Sequence, residues 1–242
     1  MDIIKSFDYY SYSKLVIASL TIGFSYYPLK KYLNKYKNYN KLTDDKKMYV
    51  TKNIIKSGIL GMLSFRFTPQ LIQLIHFKAV NQNLFRLYGA LYVGNDLAGL
   101  LFVNNLPKST KLHHLSTVLL YTILCAFNIN KYPICRMMSI YTIFSCYPFL
   151  VNLYLGLRYL KEKNTHIVKY NYNINTFIDI IRRTSYYTYL TSCSLNWTTH
   201  AYILGYLLYN RQFSYLDLLY SGILYPIITD DLILMNWLKN NK

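Results

Sequence analysis

LYGALYVGNDLAGLLFVNNLPKSTKLHHLSTVLLYTILCAFN, from Leu87 to Asn128, is the stretch on which the reading of the fold turns. It holds two apolar runs, Leu87 to Leu106 and Leu112 to Asn128, joined by the short turn Pro107 to Lys111. Each run is close to the length a helix needs to cross a bilayer core, about 17 to 25 residues. Asp96 lies deep in the first run, and His113 and His114 open the second. An ionisable group in an apolar helix is costly unless it faces a polar interior, so these three residues are the first candidates for a site.

Outward from this hairpin, apolar segments of similar length recur at 12–29, 54–74, 137–157, 185–209 and 213–238. With the two runs of the hairpin they make seven. The pattern predicts an all-α integral membrane protein, a multipass bundle of about seven transmembrane helices, with six to eight as the range. Residues 1–50 would form an N-terminal transmembrane anchor with a basic cytosolic loop, and residues 51–242 the main transmembrane domain. The chain is 53% hydrophobic and 17% aromatic, with 15% charged residues where a soluble domain carries about 25%. Mean hydropathy is only +0.12, lowered by Lys-rich loops and many Asn. On the seven-span count, 19 Lys and Arg fall on one side of the membrane and seven on the other. That bias predicts a lumenal or extracellular N-terminus and a cytosolic C-terminus, in the endoplasmic reticulum, a related endomembrane or the plasma membrane. The opening MDIIKSFDYY lacks the basic, apolar, then small-residue pattern of a cleavable signal, so the first span stays as an anchor.

The net charge of +17 raises nucleic acid as a partner. The cations sit beside apolar runs and are not interleaved with polar recognition residues, so nucleic acid is not expected, and anionic headgroups are the nearer match. Lys, Asn, Ile and Tyr are the residues that A/T-rich codons favour, so part of the charge follows base composition. Cys125, Cys135, Cys146 and Cys193 lack the spacing of a zinc or redox motif and read as thiols of a core or an apolar face.

Further polar residues inside apolar runs extend the candidate set. Arg66 and Pro69 interrupt the second span, and Arg66 either lines a polar interior or snorkels. Asn95 adjoins Asp96, and Asn104 stands nearer the level of the histidines. Asn196 and His200 share a helix face at a spacing of four. Asp230 and Asp231 fall inside the last span, where at least one needs a partner or a proton. Counted back from Leu106, Asp96 lies about 15 Å deep, so it need not touch His113 or His114. A histidine here can act as a base, with a carboxylate orienting it. Adjacent histidines on one helix point about 100° apart. A metal would then need His200, Asp230 or Asp231 as well, and the chain has no HExxH, so neither metal nor cofactor is expected.

GALYVGNDLAGLLF followed by KLHHLSTVLLYTILCAFN resembles the core of the TLC domain family. That family pairs an aspartate in one spanning helix with a His-His pair about seventeen residues on and a threonine three beyond. Asp96, His113, His114 and Thr117 match this in type and spacing. Asn128 matches a polar position further along, and Pro148, Phe149 and Asn152 match a Pro-Phe then Asn segment. The resemblance covers Thr51 to Leu238. It implies a protein that binds or senses membrane lipids, or helps regulate their composition, in a cavity lined by Asp96, His113 and His114. The alternatives are a ceramide-synthase-like N-acyltransferase taking acyl-CoA and a long-chain amine, with His113 or His114 as base, and a proton-coupled carrier. The helix after the histidines, MMSIYTIFSCYPFLVN, lacks the histidine and acids that complete the synthase site. The glutamate of other members is replaced near Ile143 and Phe144. The likeness is therefore nearer to the non-synthase members, and an enzyme is not the leading reading.

Overall fold

The computed structural model describes residues 9–161 and 171–240. Among them run nine α-helices: α1 (Tyr9–Leu33), α2 (Lys37–Asn40), α3 (Asp44–Ile75), α4 (Gln82–Phe102), α5 (Lys108–Ala126), α6 (Pro133–Cys146), α7 (Phe149–Leu157), α8 (Asn171–Tyr209) and α9 (Tyr215–Asn240). Local chemistry sets several ends. Asp44 and Asp45 lie in the first turn of α3, where their charge favours the helix dipole. Asn81 caps α4 by accepting from the Leu84 amide at 3.1 Å. Proline opens α6 at Pro133, where its missing N–H costs nothing. At α9, the Asp217 carboxylate accepts from both the amide and the hydroxyl of Ser214, at 2.8 and 2.6 Å.

The helices pack as an all-α bundle. α1 lies along α4, α3 against α6 and α7, and α5 between α4 and α9, while α8 covers α6 and α7. Gly94 lets α4 approach α1 closely, since a Cβ there would stand 3.1 Å from that of Ala18. The main core joins Leu60, Leu63, Phe67, Phe85, Met137 and Ile140 with residues of α5 and α9. All four cysteines are buried.

These helices do not make the expected membrane bundle. Among the described residues, α9 is the one helix both long and apolar enough to cross a membrane, and only 22% of its apolar window is buried. α6 and α7 pass the same test only when joined across a break that bends them by 43°. Two features explain the difference. The segment expected as a basic loop before the second span is largely helix: α3 begins at Asp44 and carries Lys46, Lys47, Lys52 and Lys56 as well as Arg66. Likewise α8 takes in Arg182, Arg183 and the NYNINTF segment and runs on through the expected sixth span. Their lengths of 32 and 39 residues follow from no bilayer thickness. The apolar percentage also counts 28 Tyr, whose hydroxyls make a helix poorly suited to hydrocarbon.

The seven-span topology, the TLC-like bundle, the orientation of the termini and the endomembrane or plasma-membrane placement all rest on that count and fall with it. So does the intramembrane lipid cavity, together with its acyltransferase and carrier alternatives. Large apolar side chains such as Ile17, Phe24, Phe65, Leu119, Leu195 and Leu219 nevertheless stand on outer faces. Asp2, Asp8, Glu162 and His166 lie outside the described residues.

Candidate functional site

α4 ends at Phe102, and Val103 to Pro107 are not helical. Asp96 is therefore six residues from the end of its helix, and His114 six residues past the start of α5. Antiparallel packing puts the two at one level, and they meet. Asp96 is fully buried and His114 is 3% exposed. His114 Nδ1 lies 3.1 Å from Asp96 Oδ1, a close polar contact that is not aligned as a hydrogen bond. Thr117, one turn along α5, donates to Asp96 Oδ2 at 3.0 Å.

Two lysines of α3 complete the group. Lys56 donates to Asp96 Oδ1 at 2.6 Å. Lys52, 3% exposed, places Nζ 3.0 Å from His114 Nε2. A ring protonated on Nδ1 faces Asp96 with its N–H and offers Nε2 as acceptor to Lys52, giving the order Lys52, His114, Asp96, Lys56. Lys52 reaches this position because Gly99 of α4 has no side chain: a Cβ there would stand 2.7 Å from Lys52 Cε and 2.8 Å from Nζ.

Burial disfavours charge throughout this row. It lowers the Lys52 ammonium to about 7, helped by the like charge of Lys56 and opposed by Asp96 and Asp230. Burial also lowers His114, to about 3, against the attraction of Asp96, so the ring is neutral near pH 7. For Asp96, burial acts upward, but His114 and Lys56 outweigh it and hold the carboxyl well below the usual range. With His114 neutral, the Lys56 ammonium is the charge that keeps Asp96 ionised.

Lys52, Lys56, His113 and His114 front a cavity of about 360 Å³ that reaches the end of the bundle where α3 and α5 begin and α9 ends. Asp230 and Asp231 of α9 also line it, with Asn152 and Asn196. His113 Nδ1 lies 3.4 Å from Asp230 Oδ2 and joins α5 to α9. Asp231 is buried and accepts from two phenols, Tyr189 at 2.7 Å and Tyr141. Its burial raises the carboxyl, while His113 and the phenols oppose. Near the mouth, the Arg158 guanidinium lies over the Trp237 ring at 4.6 Å.

One ligand atom each of Asp96, His113 and His114 lie within 4.8 Å of one another, a spacing that suits a metal ion. The surroundings do not. Lys56 already sits on the carboxylate and Lys52 on the outer nitrogen of His114, so a divalent ion would enter beside two amines that compete for its ligands. The donor set is better matched to the lysines it holds.

Other candidates fall elsewhere. Arg66 and Asn104 are exposed and outside the cavity lining. Asn95 is buried and donates to the Leu91 carbonyl at 2.9 Å. Asn128 accepts from the Asn130 amide and shapes the turn after α5. His200 is structural: with Nδ1–H donating to the Asn196 carbonyl at 2.9 Å, Nε2 accepts from Tyr220 at 2.8 Å. The residues of this group not foreseen are Lys52 and Lys56, which read as lysines of a solvated loop. Their spacing of four at the head of the apolar run IIKSGIL was the available signal.

The chain was compared with known protein families, curated protein sequences and solved structures, and nothing matches in any of the three. The resemblance of the Asp96 to Thr117 pattern to the TLC domain thus finds no support there, and the site is read from its own geometry.

Proposed function

We propose that the cavity is an active site for acid–base chemistry on a small molecule, with Lys52 as the group that takes and returns the proton. The observation that carries this reading is the buried row Lys52, His114, Asp96, Lys56, which fronts an accessible cavity through Lys52. A general base works best when its pKa lies near the working pH, and Lys52 is brought to about 7. His114 is the acceptor that orients its N–H bonds. Asp96, Thr117 and Lys56 are positioning residues, acting on Lys52 through the imidazole and through charge.

A volume of about 360 Å³ lies in the range of small-molecule sites, roughly 300 to 1,000 Å³. The lining mixes this polar wall with Leu60, Phe144, Val151 and Leu234. The matching substrate class is a molecule with a polar reacting end on an apolar body, among which acyl-bearing compounds and long-chain amines belong.

Proton abstraction from 1-nitrohexane tests the reading, because its acidic C–H needs a base and nothing else. In D2O the wild-type chain is expected to speed exchange at the carbon beside the nitro group, with a rate that rises through pH 7. Lys52→Met should abolish the effect, and Lys56→Met should shift the pH profile upward. Equal exchange rates for wild type and Lys52→Met would remove the reading.

A further inference from the structure

We propose that Lys52 is also a carbonyl-capturing amine, one that forms an imine with an aldehyde or ketone at the polar end of the substrate. The proposal rests on the acid–base reading of the same cavity and adds a covalent step to it. Lysines are rarely fully buried unless paired with an opposite charge. Among the described residues, no carboxylate lies within ion-pair distance of Lys52, and Asp96 is held by Lys56. Lys52 instead points its nitrogen at a neutral ring nitrogen, 3.0 Å away, while lining the cavity.

Three further features suit a nucleophilic amine. Lys56 is four residues along α3, so a second cation stands one turn away, and a neighbouring cation activates lysine for Schiff-base formation. The tip of Lys52 is seated against the backbone of α4 at Gly99, which fixes where the nitrogen can be. The apolar part of the lining, Leu60 and Phe144 among it, shields an imine from water.

The step balances without a co-reactant. The neutral Lys52 nitrogen adds its lone pair to the carbonyl carbon, and the carbonyl π pair moves to oxygen. His114 Nε2 takes one proton from the new ammonium and returns it to that oxygen, giving a carbinolamine. The nitrogen lone pair then expels the hydroxyl, the remaining N–H proton passes to His114 Nε2 and from it to the departing oxygen, and water leaves to give the neutral imine with the ring neutral again. Both hydrogens of the amine leave with the carbonyl oxygen, and nothing is oxidised or reduced.

The experiment uses 2-octanone, a ketone that reacts sluggishly with exposed lysines, followed by a borohydride pulse and peptide mapping of the full chain. Reduction is expected to leave one octyl group on Lys52, placed about tenfold or more faster than on any other lysine at pH 7. The rate should fall as pH drops below 7, and His114→Gln should slow trapping. Mapping on the wild-type chain assigns the residue, so the assignment does not depend on a variant that folds. Binding of 2-octanone is followed separately by fluorescence of Trp237, which lines the cavity. Saturable binding with adducts spread evenly over the lysines would overturn the imine. If nitroalkane exchange remained Lys52-dependent in that case, the acid–base reading would stand. Loss of binding, of trapping and of nitroalkane exchange together would overturn both.

Discussion

At Lys52, burial and function pull in opposite directions, and pH separates them. An unfolded lysine keeps its proton up to 10.5, whereas Lys52 in the fold releases it near 7. Between those values the unfolded chain binds more protons, so stability contributed at this position rises with pH. Below about 7 the full penalty of a buried ammonium applies, on the order of 5 kcal/mol. Lys52→Met is therefore expected to stabilise the chain most near pH 6, with the gain shrinking as pH climbs from 7 to 10.5. Urea denaturation across that range measures it, and a constant difference would contradict the lowered pKa. Asp96→Asn has the opposite effect, since it strands the Lys56 ammonium. It should cost about 3 kcal/mol, as expected when one member of a buried pair is removed. Asp96, His113 and His114 stood out in the sequence because each is ionisable within an apolar run, whereas Thr117 entered only through the TLC-like pattern. Lys52 and Lys56 did not stand out. Lysines beside an apolar run ordinarily reach solvent, and their partners lie 40 to 62 residues away.

At the scale of elements, the site depends on how closely α3 lies to α4. Gly99 is the point of contact, and Gly99→Ala would push a methyl group into the Lys52 tip. The expected cost is about 1 to 3 kcal/mol, with a loss of nitroalkane exchange at least as large as that of stability. An alanine variant that kept full exchange would show that Lys52 is not held by this contact. The helices of the hairpin were evident from their apolar runs and the proline turn between them. Their relative depth was not, because it depends on α4 ending at Phe102, four residues before the apolar run does. Nor was the length of α3 and α8. Lysines and arginines inside a helix look, in sequence, the same as those in a loop.

Across the molecule, charge is unevenly placed relative to the cavity. Its mouth lies where α3 and α5 begin, the end that also carries Lys30, Lys31, Lys46, Lys47, Lys108 and Lys111. Such a field draws anionic molecules toward the mouth and is weakened by salt. Octanoate should therefore associate faster than uncharged 2-octanone at low ionic strength, and the difference should vanish at high salt. Stopped-flow fluorescence of Trp237 reads both, and rates that ignore salt would show that the basic end plays no part. The same lysines were read as flanks of membrane spans. Tyrosine explains much of that: it counts as apolar in composition, yet its hydroxyls bond inside this fold, as Tyr141 and Tyr189 do at Asp231.

The four buried thiols have a consequence for watching the chain move. Cys125 sits in α5, Cys135 and Cys146 in α6, and Cys193 in α8, so each is a natural reporter on its own helix. A maleimide can reach Cys125, Cys135 or Cys146 only when the packed layer around it breathes open. Cys193 differs, because it borders the cavity. Under one labelling time course, a molecule resident in the cavity should slow Cys193 selectively and leave the breathing of the other three at its own pace.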